Sequence, residues 1–261
     1  MTVITDITEL IGNTPLLRLK NFDVPEGVAV YAKLEMMNPG GSIKDRLGDM
    51  LIRDALDSGK VKPGGVIIEA TAGNTGIGLA LSARKYGLKA IFCVPEHFSR
   101  EKQQIMQALG ASIIHTPRQD GMQGAIQKAI QLETEIENSY CVLQFKNRVN
   151  PSTYYKTLGP EMWEALDGNI HTFVAGAGSG GTFAGTASFL KEKNPAVKTV
   201  IVEPVGSILN GGEPHAHKTE GIGMEFIPDY MDKSHFDEIY TVTDENAFRL
   251  VKEAAEKEGL L

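Results

Sequence analysis

The feature that most constrains the fold is a repeated alternation of short apolar runs with longer helical-looking runs, beginning near residue 60. The apolar runs are rich in β-branched residues and predict strands at 66–69, 90–94, 111–115 and 140–145. The runs between them predict helices at 77–86, 99–109 and 122–135. Strands that alternate with helices through short links are typical of a parallel sheet covered by helices, so the sequence predicts an α/β fold.

The alternation resumes after Pro151. It predicts strands at 171–175, 199–203 and 238–242, and helices at 154–166, 182–193 and 244–258, with Asp244 as the last helix's N-cap. A glycine-rich loop at 206–232 interrupts the rhythm, and loops of that length are usually functional or disordered. We expect residues 1–261 to form a single catalytic unit of two three-layer α/β/α subdomains with mostly parallel sheets. The smaller would span about 36–147, and the larger about 1–35 plus 148–261.

The charge and hydropathy patterns exclude several classes of function. The net charge is −7 and the isoelectric point is near 5.4, and no basic run alternates with aromatic residues, so we expect no nucleic-acid partner. No apolar stretch approaches the roughly 20 residues that span a bilayer, so we expect no membrane association. The partner is therefore predicted to be a small molecule.

The cysteines and histidines predict no metal site. Cys93 and Cys141 each lie in an apolar run without a CxxC partner, which is typical of inert core thiols in a reducing compartment. His215 and His217 lie in a loop without a thiol or carboxylate at metal-binding spacing. We therefore expect a cytoplasmic protein without a metal cofactor.

Lys44 is the first candidate for catalysis. It follows a polar turn, Asn38-Pro39-Gly40-Gly41-Ser42, and precedes a helical-looking segment at 47–52. An amine in the first turn of a helix lies at the positive end of the macrodipole, which lowers its pKa. A neutral amine is what a carbonyl cofactor requires. The alternative, given the neighbouring Asp45 and Arg46, is a solvated surface charge.

A second glycine-containing turn occupies residues 71–76, between a predicted strand and a predicted helix. Backbone N–H groups gather at a helix N-terminus and form a ready site for a carboxylate or a phosphate. Gly73 and Gly76 would let a ligand approach the backbone closely. The alternative is a structural turn capped by Thr71 or Asn74.

A third such turn occupies residues 176–182 and suits a phosphate for the same physical reason. It also contains a GxGxxG match at Gly176, Gly178 and Gly181, followed by Glu203 at the end of the next predicted strand. That combination is the dinucleotide-binding fingerprint and predicts an oxidoreductase as an alternative. A dinucleotide, however, has no use for Lys44 or for a second anion-binding turn. A phosphorylated aldehyde uses all three features, which favours pyridoxal phosphate.

Five segments together resemble, in order and spacing, the signatures of the cysteine synthase and cystathionine β-synthase family: 11–16, 38–46, 71–76, 178–182 and 220–223. Within that family, residues 39–42, 74–80 and 203–209 are more similar to cystathionine β-synthases than to most cysteine synthases. The similarity is greatest to the bacterial O-acetylserine-dependent form. The resemblance implies a tryptophan-synthase-β-like fold, pyridoxal 5'-phosphate as cofactor, and a homodimer.

The resemblance also implies roles for individual residues. Lys44 would be the catalytic residue that binds the cofactor covalently, and Asn74 would hydrogen-bond the cofactor's ring hydroxyl. The phosphate would be bound by Gly178, Ser179, Gly180, Gly181 and Thr182. The substrate carboxylate would be bound by Thr71, Ala72, Gly73, Thr75 and Gln144, and Gly221 would lie near the substrate on a closing loop.

Two departures from the family pattern occur. Ala72 stands where the family commonly has serine, so one hydroxyl contact to the substrate is absent. The family also continues past the position of Leu261 into a small-hydroxyl segment that faces the pyridine nitrogen, so no residue of this sequence is assigned that role.

The activity implied by the resemblance is β-replacement on O-acetylserine or serine. Homocysteine as acceptor would give cystathionine in reverse transsulfuration, and sulfide would give cysteine, with Lys44 as the base that removes the Cα proton. Two alternatives from other classes are a dinucleotide-dependent oxidoreductase and a non-catalytic relative that binds the cofactor or a partner protein.

Overall fold

The computed structural model describes residues 3–96 and 98–260. The helices are α1 (Lys44–Asp57), α2 (Asn74–Lys85), α3 (Arg100–Ala108), α4 (Gly121–Glu135), α5 (Val149–Lys156), α6 (Leu158–Ala165), α7 (Gly181–Lys193) and α8 (Asp244–Glu258). The strands are β1 (Leu16–Leu19), β2 (Val30–Lys33), β3 (Val66–Ala70), β4 (Lys89–Pro95), β5 (Ser112–Thr116), β6 (Ser139–Cys141), β7 (Thr172–Gly176), β8 (Lys198–Pro204) and β9 (Glu238–Val242). Short 3-10 helices lie at Ile7–Leu10, Glu35–Met37, Arg118–Asp120 and Lys233–His235.

The chain divides into two compact units. Unit 1 contains the described residues before Thr14 together with Glu35–Thr153, and unit 2 contains Thr14–Leu34 together with the described residues from Tyr154 onward. Both contain a parallel sheet together with α-helices, which confirms the predicted α/β class.

The sheet of unit 1 has the strand order β5-β4-β3-β6, and all its neighbours are parallel. The chain first moves outward from β3 to β5 and then returns across the sheet to β6. Because crossovers between parallel strands are right-handed, the returning helix α4 must lie on the opposite face from the helices that follow β3 and β4. The direction of winding therefore reverses between β3 and β6.

The core of unit 1 contains the apolar side chains of β3 and α4. Val66, Ile68 and Ala70 alternate along β3 and pack with Ala125 and Ala129 of α4 in one buried cluster. Both cysteines belong to this cluster as free thiols, and burial raises the pKa of Cys93 to about 11 and that of Cys141 to about 12. Both thiols are therefore protonated at neutral pH, which makes them poor nucleophiles.

Unit 2 contains a parallel sheet with the order β7-β8-β9 and an antiparallel hairpin of β1 and β2. The ring of Phe183 on α7 stacks on Phe173 of β7 with centroids 6.0 Å apart and meets Phe236 edge-on at 5.7 Å. Lys33 at the end of β2 forms an ion pair of 2.6 Å with Glu161 of α6.

Two predicted helix features are wrong in detail. The predicted helix at 154–166 is divided at Thr157 into α5 and α6, because Pro160 has no N–H to donate to the carbonyl of Lys156 and its ring crowds that carbonyl. The N-cap of α8 is Thr243, whose hydroxyl accepts the N–H of Asn246 at 3.3 Å; Asp244 is the first helical residue. Within the described part of the chain, none of the helices combines the length and apolar character needed to cross a membrane.

Candidate active site

Lys44 is the first residue of α1 and belongs to unit 1. The preceding turn is closed by a hydrogen bond from the Gly41 N–H to the Asn38 carbonyl at 2.8 Å, and Gly41 has a φ of +82°, which favours glycine. The Ser42 hydroxyl accepts the Lys44 N–H at 3.2 Å. The turn and the helix start therefore fix the backbone from which the Lys44 side chain extends.

A buried charge network holds this turn in place. The guanidinium of Arg46 binds Glu35 through two bonds, Nε to Oε2 at 2.7 Å and Nη2 to Oε1 at 2.8 Å. The side-chain N–H₂ of Asn38 donates to the same carboxylate at 2.9 Å, and the side-chain oxygen Oδ1 of Asn38 accepts the Gly12 N–H at 2.8 Å. A two-bond Arg–carboxylate pair is rigid, so the α1 N-terminus is tied to the segment around Glu35. Arg46 is therefore buried and paired within unit 1.

The amine of Lys44 is easier to deprotonate than an ordinary lysine. Burial disfavours the charged form and lowers its pKa to about 8. The sequence predicted a lowered pKa from the helix dipole, whereas desolvation is the cause in the structure. Burial likewise raises the pKa of the adjacent Asp45 to about 6, and this carboxylate accepts the Gly40 N–H at 2.5 Å.

Helices α1 and α2 cross in direct backbone contact next to Lys44. A β-carbon on Gly48 would overlap the backbone of Gly78, and a β-carbon on Gly78 would lie 2.5 Å from the Lys44 carbonyl oxygen. Only glycine allows this approach, so both glycines set the distance between Lys44 and the start of α2.

The predicted carboxylate loop connects β3 to α2. Gly73 is the N-cap of α2 without a side-chain cap, so the first N–H groups of the helix have no side-chain acceptor there. Thr71, Ala72 and Thr75 are buried, and Asn74, the first helical residue, is partly exposed. Neither Thr71 nor Asn74 caps the helix, which argues against the purely structural interpretation of this turn.

Gln144 joins this loop although it lies 69 residues further along the chain. The Thr75 hydroxyl donates to the Gln144 side-chain oxygen at 2.9 Å, and both residues are buried. The predicted strand 140–145 is too long: β6 ends at Cys141, and Leu143 has a φ of +49° that turns the chain. Gln144 therefore lies on the turn at the carboxyl end of β6, next to the carboxyl end of β3. Ligands of open parallel sheets bind at such a reversal of winding.

The predicted phosphate loop belongs to unit 2. It follows β7, passes through Gly180 with a φ of +80°, and enters α7 at Gly181 without a side-chain cap. The Tyr230 hydroxyl donates to the Ser179 carbonyl at 2.6 Å, and the Gly223 N–H donates to the Ala177 carbonyl at 2.8 Å. The segment around 221–231 thus holds the loop.

The other predicted residues of this loop lie in the same region of unit 2. Gly178 packs against the carbonyl of Gly221, which leaves no space for a β-carbon. Thr182 is partly exposed in the first turn of α7, and Gly221 lies in an exposed turn with a φ of +82°. The structure thus brings residues 178–182 and Gly221 together.

Glu203 does not behave as a ribose-binding acid. It is buried, and its carboxylate accepts the N–H groups of Leu209 and Asn210 at 3.0 and 2.9 Å. Its oxygens organise the loop that follows β8. The GxGxxG match therefore lacks the free acidic residue that a dinucleotide requires.

Unit 1 also contains an open groove of about 580 Å³ that none of the predicted site residues lines. Its walls are Glu96, Arg100, Gln103, Gln104, Gln107 and His115. The lining contains both acidic and basic side chains, and neither charge predominates. The carboxyl ends of β3 and β6 therefore remain the better candidate for the active site.

These features define a protein that binds a carbonyl cofactor with a phosphate group. A protein-family model described as "Pyridoxal-phosphate dependent enzyme" matches residues 7–261. The chain belongs to this family, and its cofactor is pyridoxal 5'-phosphate.

Three named relatives are similar to this chain over its whole length. A curated cysteine synthase of Helicobacter pylori is 53% identical over 263 aligned residues, which cover 100% of this chain and 86% of that relative. The crystal structure of an O-acetylserine dependent cystathionine β-synthase from Helicobacter pylori is 52% identical with a TM-score of 0.96, covering 100% of this chain and 86% of that one. A cystathionine β-synthase from Bacillus anthracis is 55% identical with a TM-score of 0.76, covering 100% and 88%. The predicted family resemblance is confirmed.

The residues present fit the cofactor. An aldehyde requires a neutral amine, and the pKa of Lys44, about 8, leaves part of its amine neutral at physiological pH. A phosphate binds well to backbone N–H donors at an uncapped helix start. The N-terminus of α7, which follows Gly180, has no side-chain cap.

Proposed function

We propose that this protein catalyses β-replacement on O-acetylserine, or on serine, with homocysteine as the acceptor and cystathionine as the product. This reaction belongs to reverse transsulfuration and cysteine biosynthesis. The observation that carries the proposal is the desolvated amine of Lys44 at the start of α1, in the same unit as the Thr75–Gln144 pair. The names of the two solved cystathionine β-synthases support this choice of acceptor.

Lys44 has two roles in this proposal. Its amine would hold the cofactor covalently, and as a free amine it would take up the Cα proton of the substrate at Nζ. A base with a pKa of about 8 can take up a proton near neutral pH and also release it again. An ordinary lysine would remain protonated and could not act as the base.

Residues 71–75 and Gln144 bind the substrate carboxylate in this proposal. Thr71, Ala72, Gly73 and Thr75 lie at the uncapped start of α2, where N–H groups attract an anion. Gln144 fixes the Thr75 hydroxyl, and a side-chain amide N–H₂ is a group that can donate to a carboxylate. Asn74, which is partly exposed, would donate to the cofactor's ring hydroxyl.

The loop of unit 2 binds the cofactor phosphate in this proposal. The backbone N–H groups of residues 178–182 and the hydroxyls of Ser179 and Thr182 are the donors. Gly221 lies in an exposed turn that packs on Gly178, and we assign it to a segment that closes over the substrate.

The net reaction exchanges one bond at Cβ. Pyridoxal phosphate, when bound, supplies an electron sink for the charge left on Cα. Lys44 removes the Cα proton, the Cβ–O bond to acetate breaks, and a Cβ–S bond forms with the homocysteine thiolate. A proton then returns to Cα from the same lysine, so that cystathionine and acetate are the products.

Sulfide as the acceptor is the second candidate, with cysteine as the product. The name of the curated Helicobacter pylori relative, a cysteine synthase, favours it. The two candidates share Lys44 and the carboxylate loop and differ only in the thiol that attacks Cβ.

Turnover with the two acceptors tests the proposal. The holoenzyme is supplied with O-acetylserine and either homocysteine or sulfide, and acetate, cystathionine and cysteine are measured. A kcat/KM at least about tenfold higher with homocysteine supports the main proposal, and the reverse ratio supports the cysteine synthase. Lys44→Ala should abolish both activities and the visible band near roughly 410 nm of the covalently held cofactor. Lys85→Ala, an exposed lysine on α2, is the matched control. Retention of the band in Lys44→Ala would refute the role of Lys44.

We further propose a homodimer located in the cytoplasm. The family resemblance supports the dimer, which light scattering of the purified protein would test. The two buried free thiols support a reducing compartment. Cell fractionation would test the location.

A further inference from the structure

Glu69 places a carboxyl group on a fully buried strand. All five residues of β3 are buried, and Glu69 is only 1% exposed. Strand β3 has β4 on one side and β6 on the other. A carboxyl group in such a position is unfavourable unless it is hydrogen-bonded or paired with a cation. Within residues 3–96 and 98–260, Glu69 has no ion pair that would account for it.

The partners of Glu69 are backbone N–H groups where β6 leaves the sheet. The ladder between β3 and β6 ends with the bond from the Val142 N–H to the Ile68 carbonyl at 3.0 Å. Leu143 then turns away, with a φ of +49°. The N–H groups of Leu143 and Gln144, past the end of this ladder, hydrogen-bond to the Glu69 carboxyl group, as does the N–H of the neighbouring Ala70 on β3. Glu69 thus replaces the missing strand partner at this turn.

The same turn carries Gln144. Its N–H is bound by Glu69, and its carbonyl accepts the Asn150 side-chain amide at 2.9 Å. With the backbone held on both sides, the Gln144 side chain reaches the Thr75 hydroxyl at 2.9 Å. A continuous set of hydrogen bonds therefore connects Glu69 to the start of α2.

We propose that Glu69 is a positioning residue for the substrate-carboxylate site, because it fixes the Leu143–Gln144 turn that presents Gln144 to Thr75. The inference rests on the proposed function only in assigning Thr75 and Gln144 to the carboxylate. Glu69 itself does not touch the substrate.

The ionisation of Glu69 agrees with this role. Its Oε2 atom is buried and has no hydrogen-bond partner among the described residues. Burial raises the pKa of Glu69 to about 8, so the group is mostly a neutral acid at pH 7. A neutral carboxyl group keeps one oxygen as an acceptor for the turn without the cost of a buried charge.

Two substitutions separate hydrogen bonding from bulk. Glu69→Gln keeps a carbonyl oxygen as acceptor, whereas Glu69→Leu removes it with little change in volume. The probe is L-alanine, which has the α-carboxylate but no leaving group, and its affinity for the holoenzyme is read from the cofactor absorbance. We expect Glu69→Leu to weaken L-alanine binding about tenfold or more and Glu69→Gln about threefold or less, with cofactor content unchanged. Equal effects of the two variants would overturn the proposal.

A double-mutant cycle with Gln144→Ala tests the route of the effect. If Glu69 acts through Gln144, Glu69→Leu should weaken L-alanine binding less than about twofold when Gln144 is already replaced. The full tenfold loss in that background would show that Glu69 acts independently of Gln144, and would contradict the proposal.

Hydrogen exchange provides a readout that needs no substrate. The Leu143 and Gln144 amides of the holoenzyme should lose protection in Glu69→Leu and keep it in Glu69→Gln. If Glu69→Leu does not fold, Glu69→Asp shortens the side chain by one methylene and should also lower protection at these two amides. Unchanged protection would refute the positioning role. Changed protection without turnover of O-acetylserine would instead refute the proposed function and leave the positioning role intact.

Discussion

The backbone of Lys44 lies directly against Gly78, with the Lys44 carbonyl oxygen 2.5 Å from the position that a β-carbon on Gly78 would occupy. The crossing of α1 and α2 therefore depends on a residue without a side chain. Any larger residue at position 78 must move the helix that begins with Lys44.

We expect Gly78→Ala to impair attachment of the cofactor as well as stability. The added methyl group must displace α1, at a cost of about 1–3 kcal/mol in the free energy of unfolding. Denaturation and the visible absorbance of the loaded protein measure the two effects. Gly59→Ala is the control, because Gly59 lies beyond the other end of α1 in open space with a φ of +71°. It should lose about 1 kcal/mol through backbone strain and keep its absorbance. Equal loss of absorbance in both variants would contradict the prediction.

The pKa of Lys44 predicts how cofactor uptake depends on pH. Only the neutral amine attacks an aldehyde, so the rate of covalent uptake by the cofactor-free protein should rise through a midpoint near pH 8. Stopped-flow absorbance over a range of pH values measures this rate. A midpoint near the ordinary lysine value of about 10.5 would show that Lys44 is not desolvated.

Thr75→Val should weaken substrate binding more than catalysis. It removes the hydroxyl that donates to Gln144 at 2.9 Å but keeps the shape of the side chain. We expect the KM for O-acetylserine to rise about five- to tenfold with a change in kcat of less than about twofold. Thr186→Val in α7 is the matched control, because the buried Thr186 hydroxyl has no partner among the described residues. An equal rise in KM in the control would argue against a specific role for Thr75.

Gly180→Ala should discriminate between cofactors with and without a phosphate group. Gly180 has a φ of +80° and packs against the Met231 sulfur, so a methyl group strains the loop at the start of α7. We expect the affinity for pyridoxal phosphate to fall about tenfold or more, with the affinity for pyridoxal changing by about twofold or less. Gly211→Ala, at a φ of +78° with no neighbour within 4 Å, controls for backbone strain alone. Parallel losses for both cofactors would place the phosphate elsewhere.

Glu69 should make the protein less stable as the pH rises. Its pKa is about 8 in the folded state, against an ordinary value of 4.5, so the folded state binds more protons between these values. Stability contributed by the neutral acid is complete below about pH 4.5 and is lost progressively as the pH rises through 8, by at most roughly 5 kcal/mol. Glu69→Gln cannot ionise and should flatten this part of the profile, as urea denaturation at several pH values would measure. Superimposable profiles would show that Glu69 has an ordinary pKa.

Much of the fold and the candidate site could be predicted from local patterns. The strand and helix periods, the glycine turns, Lys44, and the loops at 71–76 and 178–182 each occupy a few consecutive residues. A pattern within one short segment depends on backbone preferences and hydropathy, and both can be read directly from the sequence. The β1–β2 hairpin was missed, because its strands have only four residues each and no hairpin signal of two turn residues.

What the sequence by itself determined is the α/β class, the family, and the positions of a lysine at a helix start and of two glycine-containing turns. The tertiary structure decided how those groups are tuned. It ends β6 at Cys141 so that Gln144 meets Thr75, ties Arg46 to Glu35, and lowers the pKa of Lys44 through burial. It also reveals Glu69 as the acceptor for the Gln144 turn. These properties arise from residues distant in the chain and from the exclusion of solvent, and neither is encoded in any short segment.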